Sequence, residues 1–133
     1  MTEIESKKVV VPAPTDKVYA FLCDMNNIEK LLPAGKYSDW KSDEKSCSFK
    51  IQGAYTIVLN FVDATPHSQI RYVSGDGSPF SFSLTTFLSA EGDGTSGFMK
   101  CDADINPFLK MVVQGPLKNL FDYMAEKLTE HVA

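Results

Sequence analysis

Apolar and polar positions alternate with two different periods along this chain, and the change of period divides it into elements. Residues Glu3 to Val11 suit a first strand, which Pro12 and Pro14 end because proline cannot donate to a ladder. Thr15 then reads as a helix cap with Asp16 in the first turn. Val18, Phe21, Leu22 and Met25 recur at helical spacing. Asn26 or Asn27 is expected to cap a second, short helix through Leu31 and Leu32, stopped by Pro33. From there the period is two. Cys47, Phe49 and Ile51 alternate with polar residues, and Tyr55, Ile57, Leu59 and Phe61 share one face of a longer strand. Ile70 and Tyr72 mark a shorter one. Phe80, Phe82 and Leu84, then Met99, Cys101, Ala103 and Ile105, give two more strands with one wet face.

Turn-forming segments lie between the strands. Gly75-Asp76-Gly77-Ser78-Pro79 and Glu91-Gly92-Asp93-Gly94 predict hairpins, hence an antiparallel sheet. Asn106-Pro107 predicts a capped helix running to about His131, kinked at Gly115-Pro116. Leu117, Leu120, Phe121, Met124 and Leu128 form its apolar stripe. A sheet with one apolar face must bury it, and this helix is the element long enough to cover it. The expectation is one α+β domain over residues 1–133: about six or seven strands curved around a long C-terminal helix, with two short helices after strand 1.

Composition narrows the function classes. The 133 residues are 44% hydrophobic and 23% charged, ordinary for a domain with its own core. The formal net charge is −4 and Arg71 is the one arginine, so the gathered cations of a nucleic-acid binder are missing. No apolar run approaches the roughly 20 residues of a membrane helix. Cys23, Cys47 and Cys101 have no paired spacing, and no basic-apolar leader pattern opens the chain. A cytoplasmic protein with three reduced, packed thiols is expected.

Motifs with chemical promise fail on context. Gly92 to Gly97 spells G-x-G-x-x-G, but a strand follows where a phosphate-binding turn needs a helix. Asp102, Asp104 and Asn106 open a calcium-loop spacing that Pro107 and Val113 break. His67 and His131 have no ligand or nucleophile at useful spacing. No metal, cofactor or catalytic residue is assigned.

What remains are two apolar features. Small side chains at Cys101 and Ala103 face the helix, with larger ones at Phe49, Tyr55, Ile57, Phe80 and Phe82 around them. Composition alone does not choose between a cavity and a filled core. Phe108, Met111 and Val112 lie off the face that Leu109, Val113 and Leu117 turn to the sheet. Packing against the domain's own short helices is the leading expectation for them, with a cavity mouth, a dimer or protein partner, or a lipid surface as alternatives.

The passage Val11-Pro12-Ala13-Pro14-Thr15-Asp16-Lys17-Val18-Tyr19-Ala20-Phe21-Leu22, with Asp24, resembles the strand-to-helix phrase of the START-like SRPBCC superfamily, which includes birch-pollen-allergen and polyketide-cyclase branches. Asn106-Pro107-Phe108-Leu109-Lys110 and Gly115-Pro116-Leu117 look like the carbon monoxide dehydrogenase-related branch of that superfamily. The resemblance implies a helix-grip fold with a cavity between sheet and C-terminal helix, and it tips the expectation towards a pocket. The function implied is binding or carriage of a small hydrophobic ligand such as a lipid, quinone or polyketide. Its lining is expected to be Phe49, Ile51, Tyr55, Ile57, Phe80, Phe82, Met99, Cys101, Leu109, Val113, Leu117 and Phe121, with Tyr55 and Tyr72 as polar anchors. Alternatives are a polyketide cyclase- or hydrolase-like enzyme, and a dimerising or protein-interaction module of the same fold.

Overall fold

The computed structural model describes residues 2–33, 35–51, 55–66, 68–75 and 80–131, the Tyr55 side chain excepted. The predicted Gly75–Pro79 turn and His67 therefore lie wholly or partly outside the described residues. Strands β1 (Thr2–Glu5) and β2 (Val9–Val11) precede helix α1 (Thr15–Cys23) and a 3-10 helix (Met25–Leu31). Six strands follow: β3 (Tyr37–Ser42), β4 (Ser46–Ile51), β5 (Tyr55–Thr65), β6 (Gln69–Ser74), β7 (Ser81–Glu91) and β8 (Gly94–Asp104). Helix α2 (Pro107–His131) closes the order. All strands join one curved antiparallel sheet, ordered β1-β8-β7-β6-β5-β4-β3, with β2 also on β8.

The expected first strand is thus two pieces on one partner. Glu5 pairs with Lys100 and Val9 with Gly97, so one extra residue is accommodated on the edge strand as a bulge. Ser6 repairs the interrupted ladder. Its backbone N–H donates to the Met99 carbonyl at 2.8 Å, while its Oγ accepts the Met99 N–H at 2.8 Å.

Strand alternation places the core. On β4, β7 and β8 every second residue is buried, including Cys47, Phe49, Ile51, Phe82, Leu84, Met99, Cys101 and Ala103. Two-residue hairpin geometry at Gly92 and Asp93 joins β7 to β8, with Gly92 at φ 59° where a side chain would be strained. A Cβ at Gly94 would lie 2.6 Å from the Val11 carbonyl oxygen, so β2 closes over this turn only because glycine stands there. β3 escapes the alternation rule. Asp39 has φ 56° and the register slips between Ser38 and Lys41, leaving Tyr37 and Trp40 half-buried three residues apart.

Helix starts differ from expectation by a few residues. Pro14 occupies the cap position of α1, with Thr15 inside the helix and no side-chain cap. Asp24 caps the 3-10 helix by accepting the Asn26 N–H at 3.0 Å. Neither predicted asparagine is available for that: Asn27 Nδ2 donates to the Phe21 carbonyl and Asn26 Oδ1 accepts from Ser42 Oγ. Met25, Ile28 and Leu31 are buried at three-residue spacing, the eclipsed face of a 3-10 turn. Asn106 does cap α2, accepting the Leu109 N–H at 2.8 Å. α2 continues through Pro116 as one helix, and Val113, Leu117, Leu120, Phe121, Met124 and Leu128 are buried along it.

Candidate functional site: an apolar cleft beneath the C-terminal helix

The backbone of α2 comes closest to β1, β2, β8 and the 3-10 helix. Side chains fill the space between α2 and strands β4, β5, β7 and β8. From the sheet come Phe49, Ile57, Leu59, Phe82, Leu84 and Cys101, with Phe80 just before β7; from the helix come Leu117, Leu120, Phe121 and Met124. A cleft of about 10 Å³ remains among them, and a second of about 10 Å³ lies beside it between Ile51, Ile57, Phe80, Val113, Pro116 and Leu117. Each holds little more than one water-sized sphere. The interior is close-packed in this state. No polar atom of the described residues faces either cleft.

Aromatic side chains set the walls. Phe80 and Phe82 meet at 5.7 Å between ring centres, tilted by 55°. Trp40 stacks on Phe49 at 5.9 Å, which joins the β3 edge to the cleft wall. Phe80 and Pro116 are half-buried and form the rim towards solvent.

Most of the residues expected from the sequence meet here: Phe49, Ile57, Phe80, Phe82, Cys101, Leu117 and Phe121 in the first cleft, Ile51 and Val113 in the second. Met99 does not line either one. It is buried beside the bulge, where its N–H meets Ser6. Leu109 is half-buried against the core but outside both clefts. The Tyr55 side chain lies outside the described residues. Tyr72 lines neither cleft: fully buried, its hydroxyl donates to the Leu22 carbonyl at 2.9 Å, and burial pushes the phenol far above its ordinary value. Leu59, Leu84, Pro116, Leu120 and Met124 complete the lining. Their signal in the sequence is the continuation of the same strand and helix periods.

Titratable chemistry is sparse near the cleft. Burial pushes the Cys101 thiol up to about 12, and the nearby Asp102 charge adds to the effect. Cys47 is likewise pushed up to about 12 by burial, then by Asp43. Such thiols stay protonated and unreactive at neutral pH. All three cysteines are free. His131 is exposed at the end of α2. Among the described residues no three His, Cys, Asp or Glu side chains gather to hold a metal, and no helix is long and apolar enough to cross a membrane.

The first turns of α2 depart from expectation. Phe108, Met111 and Val112 are 80%, 86% and 48% exposed, so the domain's own short helices do not cover them. The 3-10 helix packs against α2 but leaves these three side chains in water.

No protein-family model matches the chain, and no curated protein matches it in sequence. Solved structures do match in shape. The KanY protein, solved by NMR, superposes with a TM-score of 0.76 at 18% identity, covering 99% of each chain. A START superfamily protein from Mycobacterium smegmatis gives 0.71 at 14% identity, covering 98% of this chain and 96% of that one. A norcoclaurine synthase point mutant from Thalictrum, bound to a transition-state analogue, gives 0.70 at 14% identity, covering 99% and 96%. The class these likenesses define is the START-like helix-grip fold, and this chain has that fold. At such identities they establish architecture and name no ligand for it, nor do they reach the carbon monoxide dehydrogenase-related branch.

Proposed function

We propose that this protein binds and carries a small hydrophobic molecule between the sheet and α2. The observation that carries the reading is the wholly apolar layer of side chains there: where the α2 backbone is not close to β4, β5 and β7, the gap is filled by Phe80, Phe82, Leu117, Phe121 and Met124 with no polar group among them. The clefts of about 10 Å³ are far below the roughly 300 Å³ of a typical ligand site, so uptake requires these side chains to move apart. A ligand replacing them restores apolar contact without leaving a buried polar atom unpaired. Among the described residues the lining has no carboxylate, imidazole or amine to move a proton, which supports carriage over catalysis. The free thiols fit the reducing conditions of a cytoplasm.

Native mass spectrometry of protein purified from its own host, with extraction of any passenger, tests the reading together with titration by N-phenyl-1-naphthylamine. A stoichiometric apolar passenger or saturable probe uptake is expected, with Phe80→Glu at the rim weakening probe binding about tenfold or more. An empty protein that also refuses the probe would overturn it. The bare patch of Phe108, Met111 and Val112 favours a second reading, an interaction surface on α2, which is compatible with the first.

A further inference from the structure

We propose that the first two turns of α2 dock on a phospholipid bilayer, inserting Phe108 and Met111 among the acyl chains and bringing the rim of the cleft against the membrane. The proposal rests on the hydrophobic-ligand reading and names where that ligand enters and leaves.

Phe108, Met111 and Val112 occupy positions i, i+3 and i+4 of one helix face and stand 80%, 86% and 48% exposed. The stripe is short. Gly115 and Asn119 continue the face, and nothing lies within 4 Å of where a Gly115 side chain would begin. Three side chains of ~150–200 Å² each present about 400 Å², half of the ~800 Å² per partner that a stable protein interface buries. A second copy of the chain is therefore a poor match. A bilayer needs no such area, because a few inserted apolar side chains give weak, reversible attachment.

The charges agree. Helix N-termini favour acidic residues, yet the first turn of α2 has none, and Lys110 is the one charged residue from Pro107 to Leu117. No carboxylate on these turns must be stripped of water on insertion. The chain's net charge of −4 means that attachment works by apolar insertion and not by attraction to anionic lipid. Val113 at the end of these turns and Pro116 in the next one line the cleft, so the inserted face and the rim adjoin on one helical segment. A hydrophobic passenger then moves between acyl chains and cleft with little exposure to water.

Flotation of the full chain with phosphatidylcholine vesicles tests this, at low salt and at high salt, alongside N-phenyl-1-naphthylamine titration in the absence of vesicles. Vesicle binding that persists at high salt is expected. The double variant Phe108→Ser/Met111→Ser should lose it by about tenfold or more while keeping its melting temperature and probe affinity. Three results would overturn the proposal: no flotation of the wild type, flotation retained by the double variant, or binding only to vesicles containing phosphatidylglycerol and only at low salt. A wild-type dimer in sedimentation velocity that Met111→Asp dissolves would also overturn it, assigning the patch to a second copy. Flotation with no probe uptake would sustain the docking site and sink the ligand reading instead.

Discussion

The backbone N–H of Lys7 donates to Asp122 Oδ1 at 2.7 Å, joining the edge-strand bulge to α2 across 115 residues of chain. Lys7 Nζ also pairs with Glu126, and Lys118 reaches the same Asp122 carboxylate at 3.0 Å from one turn away. The extra residue that interrupts β1 and β2 thus turns a main-chain donor outward, and the helix supplies its acceptor. Partial burial works to raise the Asp122 carboxyl. The hydrogen bonds from Lys118 and from the Lys7 N–H outweigh it, with the two lysine charges, and hold it below its ordinary 3.8.

Asp122→Ala is expected to destabilise the protein by about 1–2 kcal/mol, since it leaves the Lys7 donor without its partner. Asp122→Asn keeps an acceptor and should cost less. Because the folded-state carboxyl is the stronger acid, its contribution is present above pH 3.8 and is lost as pH falls below it. Urea denaturation at pH 7 and at pH 3 checks both points: the gap between wild type and Asp122→Ala should narrow at the lower pH.

Tyr72→Phe should cost about 1–3 kcal/mol, leaving the Leu22 carbonyl buried without the donor that now lies 2.9 Å away. The hydroxyl spans α1 and β6, so the loss should appear in global unfolding. It should leave uptake of an apolar probe unchanged, because Tyr72 lines neither cleft. A variant as stable as wild type would show this contact to be dispensable.

Alkaline pH should weaken the fold in a defined window. Cys47 and Cys101 have folded-state values of about 12 against an ordinary 9.0, so both hold their protons more tightly folded than unfolded. Their contribution is whole below pH 9.0 and falls as pH climbs from there towards about 12, by up to roughly 1.4 kcal/mol per pH unit for each thiol. Cys101→Ala should flatten the slope of stability against pH in that range while lowering stability at neutral pH through lost packing. An unchanged slope in the variant would count against the buried-thiol explanation.

The periodicities that place the core also place most of the cleft. Ile57 and Phe82 are legible as inward positions by alternation, and Leu117 and Phe121 by the helical stripe, because burial on one face leaves that pattern in any sequence. Met99 obeys the same alternation yet falls outside the cleft, since period reports which side a residue faces and not how far along the strand α2 crosses it. β3 is hidden by the left-handed Asp39, which breaks alternation between Tyr37 and Trp40. Tyr72 looks like a ligand anchor in the sequence because its partner is a main-chain carbonyl 50 residues earlier, and backbone acceptors have no sequence signature. Phe108, Met111 and Val112 are visible as surplus apolar residues, but only the packed fold shows them bare.

Pro116 divides α2 into two mechanical regimes. Lacking an N–H, it leaves the Val112 carbonyl without its helical partner at the point where the helix passes over the rim. Among the described residues, the polar ties from α2 to the sheet, Lys7 to Asp122 and Lys7 to Glu126, both lie on the C-terminal side of that point. The C-terminal segment is therefore held by both a hydrogen bond and an ion pair, whereas the N-terminal segment rests on apolar packing and its Asn106 cap. On the carriage reading, parting Val113 from Ile51 and Ile57 would break no ion pair, so the energy of admitting a guest there would be separate from the energy of the ties that hold α2 to the sheet.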